Sequence, residues 1–205
     1  MLKRTISDLA IMTCPPSMPV SFTDRLVSVN HLEASGFQRW SFQPGMLFAA
    51  TTVWWPTLTP SRPCPHEGLD LATFVDNSGN CRSLTHGAMV PVLADGEVVA
   101  IFDDFLGKSI LVVHGYQQGG AALHSLYAHC QIAPGVRIGH QCHGGEIIGG
   151  IAASPRGPAP AHLHLSILWL SGGMDGGVSW PRINNAPNIR LCDPLAFISV
   201  PDHNP

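Results

Sequence analysis

The chain has 205 residues, 45% of them hydrophobic, long enough to bury one core of fair size. Only 12% are charged, well below the ~25% of ordinary soluble chains, and the formal charge of −3 comes with no basic cluster, so nothing marks a nucleic-acid surface. No run of about 18 apolar residues marks a membrane span, and "MLKRTISDLAIMTCPPSM" makes a poor signal peptide because its apolar stretch is short and interrupted.

Twenty-one glycines and eighteen prolines punctuate the chain at short intervals, which favours short strands and turns over long helices. Residues 1–44 read as an irregular N-terminal extension with one short helix within residues 21–35, ahead of a domain over residues 45–200. "GMLFAATTVWW" (45–55) reads as a strand closed by Pro56, since it is rich in β-branched and aromatic residues. A proline-rich loop, "PTLTPSRPCP", then delivers "HEGLD" (66–70). Strand-like segments follow at 87–102, 109–116, 122–130 and 162–170, the first with a hairpin signal at Asp95-Gly96. This spacing predicts an all-β protein, a twisted, mainly antiparallel sheet or sandwich.

The six cysteines include no C-x-x-C pair; disulfides and buried free thiols both remain open. The anomaly is eleven histidines scattered along the chain without forming a tract. "HEGLD" begins like the H-E-x-x-H of a zinc-protease helix, but its fifth residue is Asp70, and Gly68 would cost such a helix ~1 kcal/mol relative to alanine. In "AHLHLSILWLSG", taken as a strand, His162, His164, Ser166 and Leu168 share one face, while Leu163, Leu165, Ile167 and Trp169 form an apolar face fit for a core. The same alternation in "LHSLYAHC" turns Tyr127 and His129 one way and His124, Leu126 and Ala128 the other. His66, Asp70 and one histidine of the H-x-H pair would make a three-ligand N/O zinc site with one position open, as a catalytic zinc needs. Each motif alone is common by chance, and Glu67 reads as a solvated or loop-bonded carboxylate; the combination is what is specific.

In order and wording the three motifs, "HEGLD" (66–70), "YAH" (127–129) and "HLH" (162–164), resemble those of the lysostaphin/LytM-type zinc metallopeptidases. "GAMVPVLADGEVV", "VVHGY", "IAPGVRIG" and "GGEIIGGIA" resemble the intervening text of that family, so the likeness spans about residues 62–170. The resemblance implies the family's mainly antiparallel β architecture, a duplicated hybrid motif with the metal on the floor of a groove. It implies one zinc ion held by His66, Asp70 and His164, with His162 as general base and His129 orienting water or stabilising the transition state. The activity implied is an endopeptidase acting on cross-link or stem peptides of bacterial peptidoglycan, outside the cytoplasm. Two alternatives stand beside it: a non-catalytic regulator of other cell-wall hydrolases, and a zinc amidase on the same fold. The chain departs from the family's pattern in "GHQCHGGE" (139–146), which would add His140, Cys142 and His143 near the groove, and in "SPRGPAPAHLH". His31 is the N-terminal candidate for a fourth ligand of a latent site.

Overall fold

The structure, a computed structural model, describes residues 22–153, 159–173 and 177–198. In chain order these hold α1 (Phe22–Val29), β1 (Phe37–Ser41), β2 (Leu69–Leu71), β3 (Thr73–Asp76), β4 (Cys81–Ser83), β5 (Met89–Pro91), β6 (Gly96–Asp103), β7 (Lys108–Gln118), β8 (Ala121–Ile132), β9 (Gln141–Cys142), β10 (Ile147–Ile151), β11 (Leu163–Ser171), α2 (Trp180–Asn185) and β12 (Ile189–Cys192). The main sheet runs β12-β11-β8-β7-β6-β9, with β2 added to β11 and β10 bridging β8 to β5. A second sheet has the order β1-β3-β4. Every pairing is antiparallel, so the protein is all-β as its punctuation predicts.

The H-x-H strand alternates as expected. Leu163, Leu165, Ile167 and Trp169 enter the principal core with Leu123, Tyr127, Val98 and Val112. Leu168 and Leu170 face the other way, against Leu111, Leu126 and Ile183 of α2. Residues 22–41 are not an irregular extension. The i, i+4 pair Phe22 and Leu26 places one face of α1 in the principal core, and β1 pairs with β3. The helix stops at Val29, and His31 turns the chain with a φ of 52° into a 3-10 turn at Leu32–Ser35, so the helical segment is shorter than the span 21–35.

Two local expectations fail for identifiable reasons. Residues 45–55 form no strand: Pro44–Met46 is a 3-10 turn, and only an isolated bridge joins Thr52 to Ser61. The chain doubles back so tightly that a side chain on Gly45 would meet the backbone of Thr52, Val53 and Trp54 within 2.9 Å, and this tertiary demand overrides β propensity. Asp95-Gly96 closes no hairpin either, because β5 pairs with β10 while β6 pairs with β7 and β9. Gly96 has no positive φ; it is placed where a Cβ would lie 2.4 Å from the Val113 carbonyl oxygen.

The five described cysteines, Cys64, Cys81, Cys130, Cys142 and Cys192, are free thiols, and Cys14 lies outside the described residues.

A buried polar chain crosses the core beside the site. Tyr127 Oη accepts the Leu93 amide at 2.7 Å and lies 2.8 Å from Ser125 Oγ, which is 2.8 Å from His114 Nε2. Tyr127 has no solvent exposure, so its loss as a hydrogen-bonding partner leaves Leu93 N–H without water. Tyr127→Phe is therefore expected to cost ~1–3 kcal/mol, read as a lower urea midpoint at unchanged slope. An unchanged midpoint would show that the chain contributes nothing.

Candidate metal centre

Short β2 lies antiparallel to β11 with Asp70 directly opposite His164, so strand pairing alone joins two of the three motifs. His66 arrives from the preceding loop and is pinned by its backbone, which bonds to Ala49 and Ala50 at 2.9 Å each. Gly68 answers to close approach: a Cβ there would sit 2.2 Å from the Leu165 carbonyl oxygen and 2.9 Å from His164 Nε2. The three donor atoms converge. His66 Nε2 lies 3.1 Å from Asp70 Oδ1 and 3.0 Å from His164 Nδ1, and His164 Nδ1 lies 3.0 Å from Asp70 Oδ1. A tetrahedral ion with ligands at ~2.0–2.1 Å needs its donors ~3.3 Å apart, so this triangle fits zinc after a slight spreading.

Each ligand is oriented from behind. The far nitrogen of His66, Nδ1, donates to the Leu47 carbonyl at 2.9 Å, and His164 Nε2 lies 2.8 Å from Ser166 Oγ. Those bonds hold the ring planes and aim His66 Nε2 and His164 Nδ1 at one point, the orientation metal-binding histidines require. Asp70 Oδ2 accepts from Trp54 Nε1 at 2.7 Å and faces Arg62 Nη2 at 3.5 Å, which keeps Oδ1 for the centre.

Two more imidazoles look toward the same point. His162 donates from Nδ1 to the Pro160 carbonyl at 2.7 Å and holds Nε2 3.7 Å from Asp70 Oδ1. Strand alternation left open which histidine of the pair joins the triangle; here it is His164, with His162 beside it. His129 reaches the site by a departure from alternation. Two residues of β8, Ala128 and His129, occupy the space opposite Ser109 of β7, and His129 adopts φ 63°. This bulge turns the His129 ring away from Tyr127, which stays in the core, and sets it 4.7 Å from the His162 ring and 5.9 Å from that of His164. Tyr127 and His129 thus do not share a face.

Asp104 holds the bulge. Its buried carboxylate accepts the His129 amide at 2.9 Å and Nδ1–H at 3.0 Å, together with the Leu106 and Gly107 amides and the Ser109 hydroxyl. Burial pushes the Asp104 carboxyl up, but the hydrogen bond and charge of His129 outweigh it and hold the group ionised. Burial also opposes ionisation of Asp70, and there the bonds from His164 and His66 prevail, keeping its carboxyl well below the usual range. Burial pushes His162 down to about 4 against the pull of Asp70, and pushes His164 down likewise. His162 is therefore neutral, with Nε2 unprotonated, across the physiological range.

The site opens into a cavity of about 300 Å³ walled by Val53, Trp55, Arg62, Phe105, Trp180 and Asn184. Glu67 accepts from Asn184 Nδ2 at 2.6 Å, tying the motif loop to α2. Sequence reasoning missed Trp54, Arg62 and Asp104: the first sits in a segment read as a strand, and "FDDFLG" reads as an ordinary turn. Four expected neighbours lie elsewhere. Cys142 is on β9, with His140 just before that strand and His143 just after it, and β6, β7 and β8 separate them from β11. His31 lines a different cavity, with Arg82 and His86. Residues 154–158 of the "SPRGPAPAHLH" approach lie outside the described residues.

No family model matches the chain, and no curated protein sequence does. Among solved structures, similar chains include LytU, at 22% identity over 80% of this chain and 94% of that chain with a TM-score of 0.47. The catalytic domain of the antimicrobial peptidase lysostaphin from Staphylococcus simulans is similar at 16% identity, over 82% of this chain and 94% of that one, with a TM-score of 0.44. A zinc-containing peptidase from Vibrio cholerae is similar at 19% identity, over 65% and 37%, with a TM-score of 0.41. At these identities and TM-scores no residue role passes from those chains to this one.

Trp54→Phe deletes the donor behind Asp70 and keeps most of the ring's volume. It is expected to weaken zinc binding by about 10–100-fold in a chelator competition titration. Unchanged affinity would show that Trp54 does not orient the carboxylate.

Proposed function

We propose that this chain is a zinc-dependent peptidase of the lysostaphin/LytM type that hydrolyses peptide bonds of bacterial peptidoglycan. The observation that carries the reading is the convergence of His66 Nε2, Asp70 Oδ1 and His164 Nδ1 within 3.0–3.1 Å of one another, with His162 Nε2 beside them. Two imidazoles and one carboxylate form an open three-ligand set suited to catalytic rather than structural zinc. Bound there, zinc supplies a Lewis acid that polarises a substrate carbonyl and activates water.

The remaining work belongs to the protein. His162 Nε2, unprotonated because Nδ1 donates to Pro160, accepts the proton of the attacking water and returns it to the leaving amine. His129 presents Nε2 to the same space, and the Asp104 carboxylate behind it balances the charge of a proton taken up there. In that form the ring donates to the developing oxyanion, a contribution of ~2.7–4 kcal/mol per donor in comparable sites. Trp55, Trp180 and Phe105 wall the cleft with flat apolar surface, which accepts an extended, small-side-chain peptide and excludes water from the reacting carbonyl. The wall lies outside the cytoplasm, and that is where this enzyme would act.

The test is mass analysis of purified cell-wall sacculi digested with the zinc-loaded protein. New amine termini at one peptide bond are expected. His162→Ala should lower their rate of appearance by about 10²–10⁴-fold while keeping zinc. His164→Ala and Asp70→Ala should lose both zinc and turnover. Products split between sugar and peptide would instead make the protein an amidase. Zinc bound with no product at all would make it a non-catalytic wall-binding module.

A further inference from the structure

We infer that His140, Cys142 and Glu146 form a second metal site, for a zinc-class divalent ion, at the far edge of the main sheet from the centre described above. His140 Nε2 lies 2.6 Å from Glu146 Oε1, and the Cys142 thiol completes a set whose donor atoms all lie within 4.8 Å of one another. A nitrogen and a carboxylate oxygen at hydrogen-bond distance are what the His66–Asp70–His164 triangle also shows before an ion spreads it. Imidazole, thiolate and carboxylate together select zinc and its neighbours over calcium or magnesium, which take oxygen donors.

The backbone holds these donors in place. β9 pairs Cys142 with Gly96 of β6, and Val98 N–H donates to the His140 carbonyl at 2.9 Å. On the return, Val92 N–H donates to the Glu146 carbonyl at 2.8 Å and Gly145 N–H to the Val92 carbonyl at 2.9 Å. Glu146 Oε2 accepts the His143 amide at 3.0 Å, the kind of bond that aims a ligating carboxylate. His143 is exposed on the same loop and can close the fourth position, or water can. Arg25 of α1 packs on Gly144 and Gly145 and leaves Nη1 buried without a hydrogen-bond partner, a positive charge beside an anionic set.

Binding there releases the Cys142 thiol proton to solvent, and the thiolate and the Glu146 carboxylate together neutralise the divalent ion. The ion would clip β9, which among the described residues pairs only with β6, to the loop that follows it.

Cobalt(II) titration of the full-length, chelator-treated and reduced protein tests this, because a thiolate ligand produces a near-ultraviolet charge-transfer band that a His/Asp/His set lacks. That band is expected to be complete by two equivalents of cobalt, one for each centre. It should persist in Asp70→Ala, which empties the first centre, and in Cys64→Ser, which removes the thiol beside the cleft. It should disappear in Cys142→Ser. Glu146→Gln, an isosteric change at a half-buried position, should raise the cobalt concentration for half-saturation by about tenfold or more with the circular dichroism unchanged. No band in the wild-type protein, or a band that survives Cys142→Ser, overturns the assignment. Loss of the band in Asp70→Ala would overturn it as well, by placing the thiolate at the first centre.

Discussion

The structure depends on one buried carboxylate. Asp70 is 1% exposed, and an ionised group so placed is costly unless every lone pair is engaged. Its partners come from four places in the chain: His66 just before it, His164 across the strand pair, and Trp54 and Arg62 from the loop that doubles back over both. Satisfying that charge draws the loop 47–66 over the sheet in place of a strand. Strand pairing sets β2 beside β11, with Leu69, Leu71, Leu163 and Leu165 in the principal core and Asp70 and His164 side by side on the other face.

The second organising rule is ring orientation. His66, His164, His162 and His129 each give one ring nitrogen to an oxygen behind the site, from Leu47, Ser166, Pro160 and Asp104 respectively. The opposite nitrogens all turn inward. Three of those partners lie on segments fixed by backbone bonding, so the ring orientations are set by the fold before any ligand arrives. Asp104 differs from the rest in being charged, and it also takes the His129 backbone amide, so this one carboxylate fixes both the ring and the bulge that carries it.

What was legible in the sequence followed from period and spacing. The H-x-H pair lies on a strand whose opposite face is apolar, so its alternation could be read directly, and the core positions of Leu163, Leu165, Ile167 and Trp169 came with it. His66 and Asp70 were legible as partners, though the reason for their convergence, the pairing of Asp70 with His164, is a long-range contact that no local pattern carries. The bulge at His129 was invisible for a similar reason: one extra residue reverses every later side chain, and its cause is Asp104 in another turn. The misread segment 45–55 has true β propensity, but Gly45 and Trp54 answer to the site. The misplaced His140–His143 cluster shows that nearness in sequence to "GGEIIGGIA" says nothing about which sheet edge a two-residue strand will join.

The segment 47–66 has almost no regular structure of its own, only one isolated bridge and a few turns. Backbone bonds fold it on itself, Val53 to Pro60 and Arg62 to Thr51, and side-chain bonds tie it to the site: Leu47 to His66, Trp54 and Arg62 to Asp70. Its local opening free energy is therefore in part a property of the Asp70 cluster, and amide protection along it responds to the occupancy of residues it touches. The protein carries in this segment a reporter of its candidate metal centre, readable by hydrogen exchange without any substrate.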